Sequence, residues 1–566
     1  MDSGDEQPTA DQPGVRPLDP YAPEGGTAPR PRKRSRRSMV VATGVAGALV
    51  VAGVAGAAWL RNEMGSPLGA ADSIPQDADL VVTVDFLHFT QDGRLDTIID
   101  AVTRPMLDVG TIERGDLASI VEALSDEVLG ETGISLTEDV VPWVGRSAAL
   151  AVVDLAGVSQ TAASRLPSGL LVAIDVRDHA TAEQFVTKLV STVEDHGGSI
   201  GTEVVDGHTV YVADSGLGYY SLTEDTFLVA SDDATLRSAF DAESGSAIAD
   251  TPAFQRAMAA LDPDRGVSFY MRNTIPDLIR SIEGVAGAGA VPEIDSSLYE
   301  NLVAVAGAAG LVDDGFWAET KLLYDGDAPA LIGSEEPPLV SGLPAGTYFY
   351  LGVAAAEETF ADAMDALRAS LESAGVPLGP YGDVLGYLDG RFTLAVVPAD
   401  SGLISSMLGA DVGIVGGIGI DDPAGMRGFL EGVIPSFAVD GVEVVEDGEM
   451  MRVFADGAEV LAFSITEEAL AIGTSAATLG PVLSGGGEGL TTSALYRDLD
   501  ALLPGDGVDL YVDVEAAVDA FLLDDPAVVR QGAPFQAVRG IGGSTVVEGD
   551  TLTARFVLLF DVSSGA

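Results

Sequence analysis

Short runs in which apolar and polar residues alternate recur along most of the chain: LVVTVDF, LAVVDL, LLVAIDV, HTVYVAD, TFLVAS, GVSFYMR and FWAETKLLY. A period of two turns one face of a strand inward and the other outward, so each run predicts a half-buried β-strand. Other stretches follow the helical period. Phe185, Leu189 and Val193 recur at spacing four with Val186 and Val190 beside them, and Met426, Phe429, Leu430, Val433 and Ile434 form a similar stripe. Asp422-Pro423 supplies that second helix with a cap and a proline at its first position. Leu236 and Phe240 fit a short helix after a cap at Ser231, whose counterpart is Thr474. Leu117, Ile120, Val121, Leu124 and Val128 predict one more amphipathic helix. Strands in twos and threes punctuated by single helices point to an α+β fold with largely antiparallel sheets.

The pattern occurs twice. FQRAMAALDPDRGVSFY (Phe254 to Tyr270) returns as LYRDLDALLPGDGVDLY (Leu495 to Tyr511), pairing Arg256 with Arg497 and Tyr270 with Tyr511. DVVPWVGR matches DVLGYLDGR, which aligns Arg146 with Arg391, and LAVV follows each. FLVASDDATL matches LAIGTSAATL, and FWAETKLLYD matches LTARFVLLFD. The blocks keep their order, which predicts two tandem homologous domains, since copies of this length exceed the period of a solenoid repeat. The domains are expected at 77–326 and 343–562, joined by a Pro- and acid-rich linker at 327–342, with the helix around Leu117 peculiar to the first copy. Side chains kept in both copies are expected to serve the fold, and any specific function to lie in the interface or in what the copies do not share.

The N-terminus differs in kind. Residues 1–38 are rich in Pro, Gly, Asp and Gln and predict a disordered tail. Its end is basic: Arg32, Lys33, Arg34, Arg36 and Arg37 stand just before an uncharged apolar stretch at 39–60. About 20 such residues span a bilayer as a helix. Positive charge on that side alone orients the tail to the cytoplasm and the body outside. We read 39–60 as a retained transmembrane signal anchor in the plasma membrane, although Ala55-Gly56-Ala57 would also suit cleavage, and 61–76 as a juxtamembrane linker. Gly44, Ala48, Ala52 and Gly56 fall on one stripe, where two such helices could approach closely and self-associate.

Charge narrows the partners. Residues 1–61 hold eight basic and six acidic side chains, so 21 of the 29 basic and 81 of the 87 acidic residues lie beyond Arg61. A body this acidic repels phosphate backbones and excludes nucleic acid as its partner. Cysteine is absent, which removes disulfides, thiolate metal sites and thiol nucleophiles.

The opening of the first copy, Ile74-Pro75-Gln76-Asp77-Ala78-Asp79-Leu80-Val81-Val82-Thr83-Val84-Asp85, resembles that of the bacterial family "domain of unknown function 3352". So does the Leu-x-Pro loop feeding a strand with Tyr. The resemblance, over roughly residues 74–562, implies a membrane-anchored envelope protein and brings no catalytic residues.

Motifs for chemistry are missing. His88, His179, His196 and His208 lack H-E-x-x-H spacing, and no G-x-S-x-G, P-loop, S-x-x-K or EF-hand pattern occurs. Asp262-Pro263-Asp264 and Asp421-Asp422 read as turns and caps. GVAGAGAV and GIVGGIGIDD read as flexible or tightly packed segments. We expect no catalytic, cofactor or metal residues. The leading expectation is a non-enzymatic binding or scaffold module whose partner is an envelope protein or ligand. The alternatives are a carrier of an apolar ligand, in a cavity within or between the copies, and a hydrolase with paired carboxylates.

Overall fold

The structure is a computed structural model. It describes residues 66–90, 133–155, 168–195, 198–213, 218–274, 276, 299, 301–333, 335–373, 384–399, 405, 407, 410–437, 441–485, 487–505, 507–521 and 537–562. The expected tail, the apolar stretch 39–60 and the helix around Leu117 lie outside the described residues. Among the described residues, no helix is long and apolar enough to cross a membrane.

The alternating runs form strands as expected. The first half contributes β1 (Leu80–Asp85), β2 (Val144–Val152), β3 (Leu170–Val176), β4 (Ile200–Val205), β5 (His208–Ala213), β6 (Tyr219–Leu222), β7 (Thr226–Ala230), β8 (Val267–Arg272), β9 (Leu302–Val312) and β10 (Gly315–Tyr324). The second contributes β11 (Phe349–Ala354), β12 (Leu388–Pro398), β13 (Val412–Ile420), β14 (Val442–Asp447), β15 (Met450–Ala455), β16 (Ala458–Ile465), β17 (Ala469–Gly473), β18 (Leu510–Asp513), β19 (Val538–Glu548) and β20 (Thr551–Phe560).

All are antiparallel and belong to one sheet. In the first half the order is β4-β5-β6-β7-β3-β2-β1-β8-β9-β10. In the second it is β14-β15-β16-β17-β13-β12-β11-β18-β19-β20, the same order strand for strand. The halves meet where β10 pairs with β20.

One face carries a core shared by both halves. The helices α2 (Asp233–Asp241) and α3 (Pro252–Ala260) lie against it in the first half, α6 (Ala476–Ser484) and α7 (Ala494–Asp500) in the second. Their caps are Asp232, Thr251, Ser475 and Ser493, each accepting from a backbone N–H of the first turn. The caps of α2 and α6 thus stand one residue beyond the expected Ser231 and Thr474. On the opposite face, α1 (His179–Asp195) buries Phe185, Val186 and Leu189 in the first half. The second half has α4 (Glu357–Ser373) and α5 (Pro423–Phe437). The stripe expected around Met426 and Val433 is α5, and Asp422 caps it by accepting from Gly425 N at 2.8 Å.

The described parts of the segments read as linkers, 66–76 and most of 327–342, pack against the sheet. Ala70, Ala71 and Ile74 are fully buried, and Ala70 N donates to Ser147 Oγ at 3.0 Å. At the join, Val340 and Leu343 enter the core, and Thr393 Oγ1 donates to the Pro338 carbonyl.

The seam has a chemical signature. Glu319 and Arg555 hold equivalent positions in the two copies and stand directly opposite each other across β10 and β20. The Glu319 side chain is 1% exposed and accepts from Arg555 Nη2 at 2.8 Å. Arg555 also reaches Asp262 at 2.9 Å and lies over the Trp317 ring. Removing one partner strands a buried charge, so Arg555→Met should cost about 3–5 kcal/mol. Adding Glu319→Leu should recover most of that loss, as read by a double-mutant cycle in urea. Additive losses would show that the two charges do not depend on each other.

Candidate functional site

The face opposite the shared core differs between the halves. Val81 pairs with Tyr270 as Tyr350 pairs with Tyr511, which fixes the correspondence of β1 with β11. Val84 then matches Val353, Ala148 matches Phe392, Leu150 matches Leu394 and Val172 matches Gly416. In the first half this face is sealed. Trp143, Phe185 and Phe227 pack with ring centroids 5.2–6.0 Å apart, and Val84 and Ala148 are buried beneath α1.

In the second half it is open. Val353 is 47% exposed, Leu394 45% and Phe392 37%, against 9% for Val84 and 2% for Ala148. Phe227 is replaced by Leu470 in register, which removes one of the three rings. No residue of α4 is buried, although Phe360 comes within 6.2 Å of the Phe392 ring, centroid to centroid. Gly416 adds to the space: a Cβ there would meet only the Thr393 carbonyl, at 3.8 Å. Its neighbours behave as packed glycines should, since a Cβ on Gly417 would press on Leu339 and one on Gly419 on Asp389.

Two open grooves result. One, of about 440 Å³, is lined by β11, β12, β13, β17 and Leu461 of β16, with no charged residue among the described residues of its lining. The other, of about 460 Å³, runs from β11 across β18, β19 and β20 to β10. They adjoin at Leu351 and Val353. Both volumes fall within the range of small-molecule sites.

The residues weighed in the sequence take other places. The basic cluster Arg32, Lys33, Arg34, Arg36 and Arg37, and the stripe Gly44, Ala48, Ala52 and Gly56, lie outside the described residues, as does His196. Among the described residues no His, Asp and Glu group could hold a metal. His88 is half-buried, accepting from Leu311 N at 3.2 Å and facing Asp264 at 3.3 Å. His179 pairs with Glu183, and His208 stacks on Phe240. Several residues that recur in both halves make ion pairs and hydrogen bonds. Arg146 grips Asp85 at 2.6 Å, Arg391 grips Asp389, and Arg256 ties the Tyr324 carbonyl to Asp550. Tyr270 and Tyr511 are buried in the shared core. The halves join at a paired strand edge.

One carboxyl stands out. Burial pushes Asp175 up to about 6, against the pull of its hydrogen bonds from Ser147 N and Oγ. Its lone pairs hold β2 in place beside the turn Gly69–Ser73, where a Cβ on Gly69 would touch them. A raised acid favours the folded state while it is protonated, and that contribution is lost as pH climbs from the ordinary 3.8 through about 6. Asp175→Asn should therefore gain stability relative to the wild type between pH 4 and 7, by up to about 3 kcal/mol. A pH-independent difference in urea midpoints would contradict this.

A family model described as "Protein of unknown function (DUF3352)" matches residues 39–415. The chain belongs to that family. The match begins at the apolar stretch and ends inside β13, so it takes in the whole first half and the opening of the second. No curated protein matches the chain. Solved structures of TP0453 are similar in part: crystal form I at 9% identity, covering 46% of this chain and 79% of that one with a TM-score of 0.24. Crystal form III gives 10% identity, 48% and 82% coverage, and a TM-score of 0.24.

Proposed function

We propose that this member of the family is a single-pass, membrane-anchored envelope protein whose acidic body is a non-enzymatic module binding an apolar ligand. The body consists of two tandem copies of one α+β unit. The first copy serves as a sealed structural half, and the second carries the ligand on its open sheet face.

The observation that carries this reading is the exposure of Val353 and Phe392 at positions where the first half buries Val84 and Ala148, with the exposed Leu394 beside them. Exposed apolar surface costs free energy in water, and a contiguous apolar groove marks a place where something apolar is bound. The carrier reading, held as an alternative on sequence alone, is favoured over a scaffold that binds through its charges. For the anchor, the support is the uncharged stretch 39–60 behind its basic cluster, together with a family match that begins at Met39.

The site is tested by Nile red binding to the full chain in lipid nanodiscs, with empty discs subtracted. Gly416→Val places the residue of the first half where a Cβ has room, and should weaken binding several-fold while leaving thermal stability intact. Leu394→Glu should do the same by placing a charge in the groove. Unchanged binding in both variants would overturn the site. Topology is tested by protease treatment of intact cells, which should remove the body and leave a short protected tail; a fully protected body would refute the orientation.

A further inference from the structure

The two grooves form one strip, and its shape selects among apolar ligands. The lining side chains that share this face follow the register from strand to strand. Thr320 of β10 stands in line with Ala554 and Thr545, and Leu510 with Leu351 and Leu394. The strip therefore runs across nine consecutive strands, from β10 to Leu461 in β16. Strands lie about 4.8 Å apart, which makes it roughly 38 Å long. Most strands contribute one or two positions to it, so it is roughly 7 Å wide. Neighbouring strands also rotate by about 20–25°, so the strip coils through roughly half a turn along its length. A rigid fused-ring body cannot follow such a path, whereas a flexible chain can.

Charge selects the end group. Among the described residues, the one basic residue on the lining is Arg555, and its neighbours Ala554 and Phe556 face the groove while its own side chain alternates to the other side. There its guanidinium is committed to Glu319 and Asp262. The other charged residue among the described lining is Asp509, whose carboxylate accepts from Thr545 N at 2.7 Å. With 81 acidic residues in the body beyond Arg61, the field around the strip disfavours an anionic head.

We infer that the strip takes a single long, flexible hydrocarbon chain laid across the strands, with an uncharged or cationic head group. This rests on the apolar-ligand reading above and specifies its ligand class.

The test uses the full chain in nanodiscs and photoreactive diazirine probes: a long-chain saturated alcohol, the alkylammonium and the carboxylate of the same length, and a rigid fused-ring alcohol. Crosslinks are mapped by mass spectrometry. The alcohol and the ammonium should label residues on both sides of Leu351, at Phe556 or Leu510 and at Leu394 or Ile472. Their labelling should exceed that of the carboxylate by about tenfold, a difference of about 1.4 kcal/mol. Gly416→Val should suppress the Leu394 side and spare the Phe556 side. Equal labelling by the carboxylate, or by the fused-ring probe, would overturn the inference while leaving an apolar site standing. Absence of groove labelling with every probe would instead sink the apolar-ligand reading itself.

Discussion

The molecule depends on how β10 meets β20. Two similar sheets placed edge to edge bring equivalent residues face to face at the point of symmetry, and here those residues are Glu319 and Arg555. Had both copies kept a glutamate, two buried like charges would oppose each other and the edge would open. Opposite charges make the junction favourable between the two halves and unfavourable between two first halves or two second halves. Trp317 beneath the guanidinium and Asp262 beside it complete the set. The consequence is one continuous sheet with a common core on one side, in which the strand edge that each half would otherwise expose is paired.

With the seam on one face of the sheet, the other face was free to diverge. In the first half it is filled by the Trp143, Phe185 and Phe227 rings under α1. In the second, the side chains at matching register leave a strip of apolar surface. Val172 is matched by Gly416, Phe227 by Leu470 and the buried Ala148 by the exposed Phe392, and α4 has no residue buried. Because the core on the other face is common to both halves, this face can differ between them without disturbing the seam.

Much of the fold was legible in the sequence. Alternation located the strands because their faces differ in burial, and colinear blocks such as FWAETKLLYD and LTARFVLLFD gave the correspondence of the halves. The stripe of Phe360, Met364, Leu367 and Leu371 is a helical signal too, but comparing the copies does not pick it out, because its counterpart in the first half is not a matching block. The groove was not legible. GIVGGIGIDD reads as a packed, glycine-rich strand, and for Gly417 and Gly419 that is right. Only the register, which places Gly416 on the face opposite the core, shows that one of these glycines opens space instead. The docking of 66–76 was hidden for a similar reason, since Ala70, Ala71 and Ile74 make too short an apolar run to distinguish a buried turn from a spacer.

The central claim is that equivalent positions in the two halves face a sealed core and an open site. The chain has no cysteine, so single-cysteine variants report on one position without background. Val353→Cys and Val84→Cys, treated with a small uncharged maleimide, compare the two faces directly. The account predicts rapid modification at 353, slowed by added long-chain alcohol, and protection at 84 until the protein unfolds. Equal rates at the two positions in the folded protein would contradict it.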